Sequence, residues 1–459
     1  MSRYAELIAR LEAHQAAGQW RGVLLDVTNA VIAVFQDARA KAVVFGSPEL
    51  DRFCLWAGSV AAALLPPLPE ALPDAPASTA HDDTLVVYLA TELLKNQGGH
   101  TPALQDVVQA RPQSRHVVLL SNLHDKPATP EDLPALKNAD GSPVQIIPAP
   151  PGDLGQKAVW LLMALRQLRP GRLVLFNHHY DSAIIAAAQP GAARQTVYFH
   201  HCDIDCALGV YLPHARHVDC SNIMHERCRV QLGVADPAYW PLTAADRGAR
   251  GPGHAYMGGP RGLVTCSHGS PTKFLSLGRY AYFEVMQRRL AEVPGIHVHV
   301  GPLPEGTIAQ FRQTLAQADI DPARFEHVPP VPSLWAWLRE SAVDLVISSF
   351  PVQGGRGLVE TFGAGLPVLG YDGSLSRLHA SLDPMYPEVL RWRTPDEMMA
   401  VLKGLTPEVL ATQARAARAH YENWHHPREL AYAVNNPRLT APVPPTAPFV
   451  PDTLALYWR

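Results

Sequence analysis

Along this chain, short runs of consecutive apolar residues alternate with stretches in which apolar positions return every three or four residues. The uninterrupted runs are what strands buried on both faces require, and the wider spacing is that of helices with one buried stripe. Strands are expected at 84–90 (TLVVYLA), 117–121, 144–147, 173–176, 196–199 and 218–220, with helices at 102–110, 157–168 and 181–188. A break rich in glycine and proline, 249–262, precedes a second series. Its strands are 263–266, 296–300, 325–328, 343–347 and 366–370, and its helices 276–291, 308–318, 333–340 and 358–365.

Alternation of strand and helix predicts parallel, doubly wound sheets, because a parallel crossover needs a helix to carry the chain back. The expected fold class is α/β: two Rossmann-like domains, 84–248 and 249–425, facing across a cleft. Residues 1–65 read as a mainly helical extension, with strand-like runs at 23–27 and 31–35, that packs onto the first domain. Residues 66–83 are rich in proline and small polar residues and read as a linker. A helical tail at 395–424 closes the second domain, and 426–459 reads as a proline-rich extended coda.

Composition narrows the class. At 459 residues the chain exceeds one ordinary core, and 47% apolar with 18% charged residues is the balance of a folded protein. A net charge of -3 gives no electrostatic reason for a nucleic-acid partner. The first twenty residues mix charged and apolar positions, and the longest apolar run, 53–65, is too short to cross a bilayer. A cytoplasmic protein is expected, without a transmembrane segment. The cysteines (Cys54, Cys202, Cys206, Cys220, Cys228, Cys266) form no CxxC pair and read as reduced thiols.

Candidate chemistry concentrates at 343–373, VDLVISSFPVQGGRGLVETFGAGLPVLGYDG. A buried strand, a polar glycine-rich turn at 348–357 and a helix make an anion site, because the first N–H groups of the helix and its dipole both favour negative charge. The order of parts, with VPPVPSLW followed by an apolar strand and GGRGLVETFGAGLPVLG, resembles the donor half of GT-B glycosyltransferases.

That resemblance covers roughly 84–425 and implies residue roles. Glu360 matches the acidic residue that binds the ribose hydroxyls, and a carboxylate accepts well from two vicinal hydroxyls. Gly354, Gly355 and Gly357 match the phosphate-facing turn, and Arg356 adds a fork to the same phosphates. The loop from Val328 to Val331 matches the place where the base lies against backbone. Lys273, in CSHGSPTKF, matches a basic residue near the donor phosphates, with Ser270, Thr272 and His268 beside it. Trp335 and Trp337 either stack on the base or belong to the core. Many retaining members carry a second glutamate eight positions before Glu360; Val352 stands there, so inversion is the expected outcome.

The acceptor side follows from chemistry. Gly98, Gly99 and His100 lie between the first strand and its helix, at the carboxyl end of the sheet, where open α/β folds bind ligands. An inverting transferase needs a base, and histidine suits that task near neutrality. His100 is the first choice, unless it serves only at the helix start; Asp203 and His201 are the next choices. His179 and Asp181, from FNHHYDS, are expected to meet acceptor hydroxyls. Adjacent histidines on a strand point to opposite faces and chelate poorly, so no metal is expected. The only co-substrate expected besides a glycan, protein or small-molecule acceptor is a nucleoside-diphosphate sugar. A nucleotide-sugar epimerase and a non-catalytic sugar-nucleotide-binding protein are the alternatives.

Overall fold

A computed structural model describes residues 3–37, 40, 44–66, 80–95, 99–127, 129, 131–201, 205–251, 253–276, 278–373, 377 and 379–447. The first series of apolar runs forms β1 (Asp82–Ala90), β2 (Arg115–Leu120), β3 (Gln145–Pro148), β4 (Pro170–Phe176), β5 (Gln195–His200), β6 (Ala215–Asp219) and β7 (Ala238–Tyr239). They lie in the order β3-β2-β1-β4-β5-β6-β7. Every pairing in this sheet is parallel; Val87, for example, stands between Val117 and Leu173.

The second series forms β8 (Leu263–His268), β9 (Gly295–Val300), β10 (Phe325–Val328), β11 (Leu345–Ile347), β12 (Val368–Tyr371) and β13 (Leu390–Trp392). Its order, β10-β9-β8-β11-β12-β13, repeats that of the first six strands. In each sheet the order reverses beside the first strand, and the crevice at that reversal is where such sheets take ligands. Two facing Rossmann-like domains of this kind make the GT-B arrangement.

Period-two burial explains how the first sheet is covered. Leu85, Val87 and Leu89 face the N-terminal helices Arg3–Ala16, Trp20–Gln36 and Pro48–Ala63, in one core with Leu11, Val23, Val27 and Phe53. Val86, Tyr88 and Ala90 face the helix His100–Gln109. The extension is helical throughout its described elements. The strand-like runs at 23–27 and 31–35 fall inside Trp20–Gln36, where Trp20, Val23, Leu24, Val27 and Val31 at helical spacing are the buried stripe. Short apolar runs carry no period of their own, and here the longer window decides for the helix.

Three other expectations change. The helix expected at 276–291 begins only at Tyr282. The tail at 395–424 is two helices, Pro395–Lys403 and Pro407–Trp424, each started by a threonine cap with proline in the first turn. The coda is not wholly extended: helix Pro427–Asn435 returns to the first domain, where Leu430, Ala433, Val434 and Leu439 join the core with Val86 and Tyr88. Most of the linker at 66–83, from 67 to 79, lies outside the described residues. Among the described residues no helix is long and apolar enough to cross a membrane. Cys54, Cys206, Cys220, Cys228 and Cys266 are buried and form no disulfide.

Candidate active site

The carboxyl ends of the two sheets face each other across a cleft of about 880 Å³. Gly99, His100 and His201 line it from the first domain; His268, Ser270, Lys273, Gly354, Gly355, Arg356, Gly357 and Glu360 line it from the second. The turns after β1, β5, β8 and β11 are thus brought to one place.

On the second-domain wall, the glycine turn leads into the helix Arg356–Gly363, whose start at Gly355 has no side-chain cap. Its first N–H groups are available to an anion in the cleft. Lys273 reaches across the turn, and its Nζ donates to the Gln353 carbonyl at 3.0 Å. A methyl group on Gly354 would stand 3.3 Å from that Nζ and crowd the ammonium slightly. Ser270 lines the cleft, whereas Thr272 is exposed and contacts it only through a 3.0 Å hydroxyl pair with Ser270.

His268 braces this turn. Its Nε2 lies 2.9 Å from the Thr361 hydroxyl, which itself donates to the Gly357 carbonyl at 2.8 Å. With the hydroxyl proton so used, Nε2 must carry the proton on the ring. Burial and then the Lys273 charge push its pKa down to about 4, which keeps the ring neutral. A side chain on Gly357 would come within 2.7 Å of the imidazole.

Glu360 faces the first turn of the helix Leu334–Glu340. One carboxylate oxygen accepts from the Trp335 backbone N–H at 3.1 Å and the other lies 3.5 Å from Arg356 Nε. Burial raises its pKa, against the pull of Arg356. Pro330 and Val331 line the cleft, but Val328 does not; its carbonyl accepts from Gly301 N at 3.0 Å, within the sheet end. Trp335 is core, fully buried and edge-on to Tyr421 at 4.9 Å.

Arg356 does something other than the expected phosphate fork. Its Nη1 donates to Asp106, on the helix His100–Gln109 of the first domain, and to the Thr243 carbonyl at 2.5 Å. Thr243 Oγ1 donates to the same Asp106 oxygen at 3.2 Å. The guanidinium is therefore a clasp between the domains. Sequence reasoning missed Asp106, because nothing local marks a partner that far along the chain. Asn222, also missed, makes a second tie by donating to the Asp383 carbonyl at 2.7 Å. Asp106→Ala would leave a largely buried guanidinium with only the more distant Glu360 carboxylate, 3.5 Å from Nε, to balance it, and is expected to destabilise the protein by about 2–3 kcal/mol, below the full cost of breaking a deeply buried pair. A urea midpoint unchanged from wild type would show that the clasp carries no stability.

On the first-domain wall, His100 is the first residue of its helix. Its Nε2 donates to the Phe176 carbonyl at 3.3 Å, since a carbonyl can only accept, and Nδ1 is left with the lone pair. Burial, then His178, push its pKa down to about 4. His201 packs on it with ring centres 4.8 Å apart and donates from Nε2 to the Asn177 carbonyl at 3.1 Å. Burial first, then His100, His178 and further imidazoles, also hold His201 neutral. Gly98 and Asp203 lie outside the described residues.

Two acceptor expectations are corrected. Asp181 is fully buried and caps the helix Ser182–Ala187; it accepts from Thr91 Oγ1 at 2.7 Å, Ser121 Oγ at 2.5 Å and Ile184 N at 3.2 Å. A carboxylate so satisfied ties β1, β2 and β4 ends together and does not reach the cleft. His179 turns away from the cleft as well, packing on Phe35 at 5.0 Å and lying 3.7 Å from Asp205.

Compared by sequence, the chain matches no protein-family model and no curated protein. Compared by structure, it resembles glycosyltransferases. HepE of Anabaena, in complex with UDP and glucose, aligns with a TM-score of 0.52 at 15% identity, over 76% of this chain and 97% of its own. WaaG, a glycosyltransferase of lipopolysaccharide biosynthesis, gives 0.53 at 14%, over 76% and 100%. Sucrose-phosphate synthase from Thermosynechococcus elongatus gives 0.56 at 12%, over 76% and 96%. At such identities the likeness defines the fold, and the reaction has to be argued from the cleft.

Proposed function

We propose that this protein moves a glycosyl group from a nucleoside-diphosphate sugar to a hydroxyl or other nucleophile of a glycan, protein or small-molecule acceptor. The observation that carries the reading is a single cleft with a lysine, a glycine turn and an uncapped helix start on one wall and neutral imidazoles on the other. The first wall suits a diphosphate, and the second suits a hydroxyl that must lose its proton.

In the proposed step the acceptor oxygen attacks the anomeric carbon while its proton passes to His100 Nδ1. The bond from that carbon to the diphosphate oxygen breaks, and its electron pair leaves with the nucleotide. Lys273 and the helix start meet the charge that develops there. Glu360 is held by the Trp335 N–H in the first turn of the helix Leu334–Glu340, and its other oxygen, beside Arg356, is the one offered to the ribose. The Phe176 carbonyl, already bonded to His100 Nε2, steadies the imidazolium that forms. Val352 at the position of the second glutamate supports a single, inverting displacement. Glu360 is the only carboxylate among the described residues that line the cleft, which speaks against an epimerase relying on a carboxylate pair.

HepE has also been solved with UDP-glucose, so uridine nucleotides are the first donors to test. UDP at about 100 times its dissociation constant should stabilise the protein by roughly 2.7 kcal/mol. If no nucleoside diphosphate or nucleotide sugar raises the melting temperature, the donor site is misassigned. Binding without transfer or hydrolysis, unchanged in Glu360→Ala, would instead favour a non-catalytic binding protein.

A further inference from the structure

Behind the first-domain wall, His200 at the end of β5, His217 and Asp219 on β6, and Cys228 on the helix Asn222–Val230 converge in the interior. All four are buried, and one ligand atom from each lies within 4.8 Å of all the others. We propose that these four residues form a closed structural site for a transition-metal ion, zinc by its donor set of two imidazoles, a carboxylate and a thiolate.

The distances suit it. His200 Nδ1 and His217 Nε2 lie 3.0 and 3.1 Å from Asp219 Oδ1, and Cys228 Sγ lies 3.3 Å from that oxygen and 3.6 Å from His200 Nδ1. A tetrahedron built with zinc bonds of ordinary length has edges of about 3.3–3.6 Å. A small outward adjustment of the imidazoles brings the set to that shape.

The orientation of the ligating groups suits a cation as well. His217 Nδ1 lies 3.3 Å from the Val210 carbonyl, which only accepts, so Nδ1 carries a proton and Nε2 is the nitrogen turned toward Asp219. With Nδ1 so protonated, either a second ring proton or a metal ion has to lie between Nε2 and Asp219 Oδ1, which are 3.1 Å apart. Asp219 adds an anomaly: three neighbours gather on Oδ1, while Oδ2 is buried with no hydrogen-bond partner among the described residues. Its ion pairs are with these histidines alone among the described residues. A divalent ion held by one carboxylate and one thiolate leaves the interior neutral, and the His217–Val210 bond is the outer contact that orients a ligating imidazole.

Four protein donors with no opening to solvent define a structural centre and not a catalytic one. Its place in the fold gives it a task. His201 follows His200, and Cys220, Ser221 and Asn222, which follow Asp219, line the cleft. The ion would fasten β5, β6 and the following helix just where they present the first-domain wall, so His200, His217, Asp219 and Cys228 are positioning residues.

The test uses the full chain, untagged, expressed with added zinc. About one zinc per chain is expected by elemental analysis, and cobalt(II) in its place should show tetrahedral ligand-field bands with a thiolate charge-transfer band. Cys228→Ser should lose the charge-transfer band, and His217→Gln the stoichiometric binding. Should either variant fail to fold, stripping the wild type with a chelator should lower its melting temperature and zinc should restore it. Substoichiometric zinc with no cobalt spectrum, a spectrum unchanged in both variants, or a melting temperature indifferent to chelator and zinc would each overturn the proposal in favour of a hydrogen-bonded cluster.

Discussion

Replacing His100 by alanine is expected to lower kcat for transfer by about 10²–10⁴-fold, the usual contribution of a positioned general base. The donor constant should change little, because the donor contacts lie on the facing domain. The tautomer makes His100 a base: Nε2 donates to the Phe176 carbonyl, so Nδ1 keeps the lone pair of a ring that lines the cleft. It also gives a pH signature. The neutral ring is the active form, and burial with the neighbouring His178 pushes its pKa down to about 4. Activity in kcat/KM should therefore fall as pH drops through about 4, and stay level across the range where an ordinary histidine would titrate. An acid limb near the ordinary value, or full transfer activity in His100→Ala, would remove His100 from the role. A limb unchanged in the variant would pass it to His201 or Asp203.

Lys273→Ala should cost about 10²–10³-fold in kcat, on the scale of removing a preorganised charge from a developing oxyanion. UDP should also stabilise the variant less than wild type. The physical reason is that the ammonium lies on the glycine turn, bonded to the Gln353 carbonyl and packed at Gly354. Lys273→Arg is expected to restore only part of the loss, because a planar guanidinium does not reproduce the point charge that the ammonium places beside the Gln353 carbonyl. Single-turnover transfer and UDP melting shifts measure the two effects separately. A variant that binds UDP normally and transfers at the wild-type rate would place the leaving-group charge elsewhere.

Arg356 shows where reasoning along the chain stops. It sits in the glycine turn, as a phosphate fork would, yet its nearest anion is Asp106 of the other domain. A short-range pattern reports which residues share a turn, but not which surface the turn meets. Asp181 shows the same limit from the other side. Its place after a buried strand suits a rim residue, and only the hydroxyls of Thr91 and Ser121 reveal it as a buried cap. The Trp20–Gln36 helix differs in kind, since its spacing was already legible and the shorter β-branched runs misled.

Local periodicity by itself determined the two series of strands and helices, the break between them and the positions of the glycine turn and Lys273, because strand, helix and turn chemistry act over a few residues. From that follow two parallel sheets and the rim on which their loops emerge. Only the tertiary structure decided which loops face one another across the cleft, that Arg356 clasps Asp106, and that His200, His217, Asp219 and Cys228 meet in the interior. Those contacts join residues far apart in the chain, and the burial that keeps His100 and His268 neutral exists only once both domains have folded and closed around them.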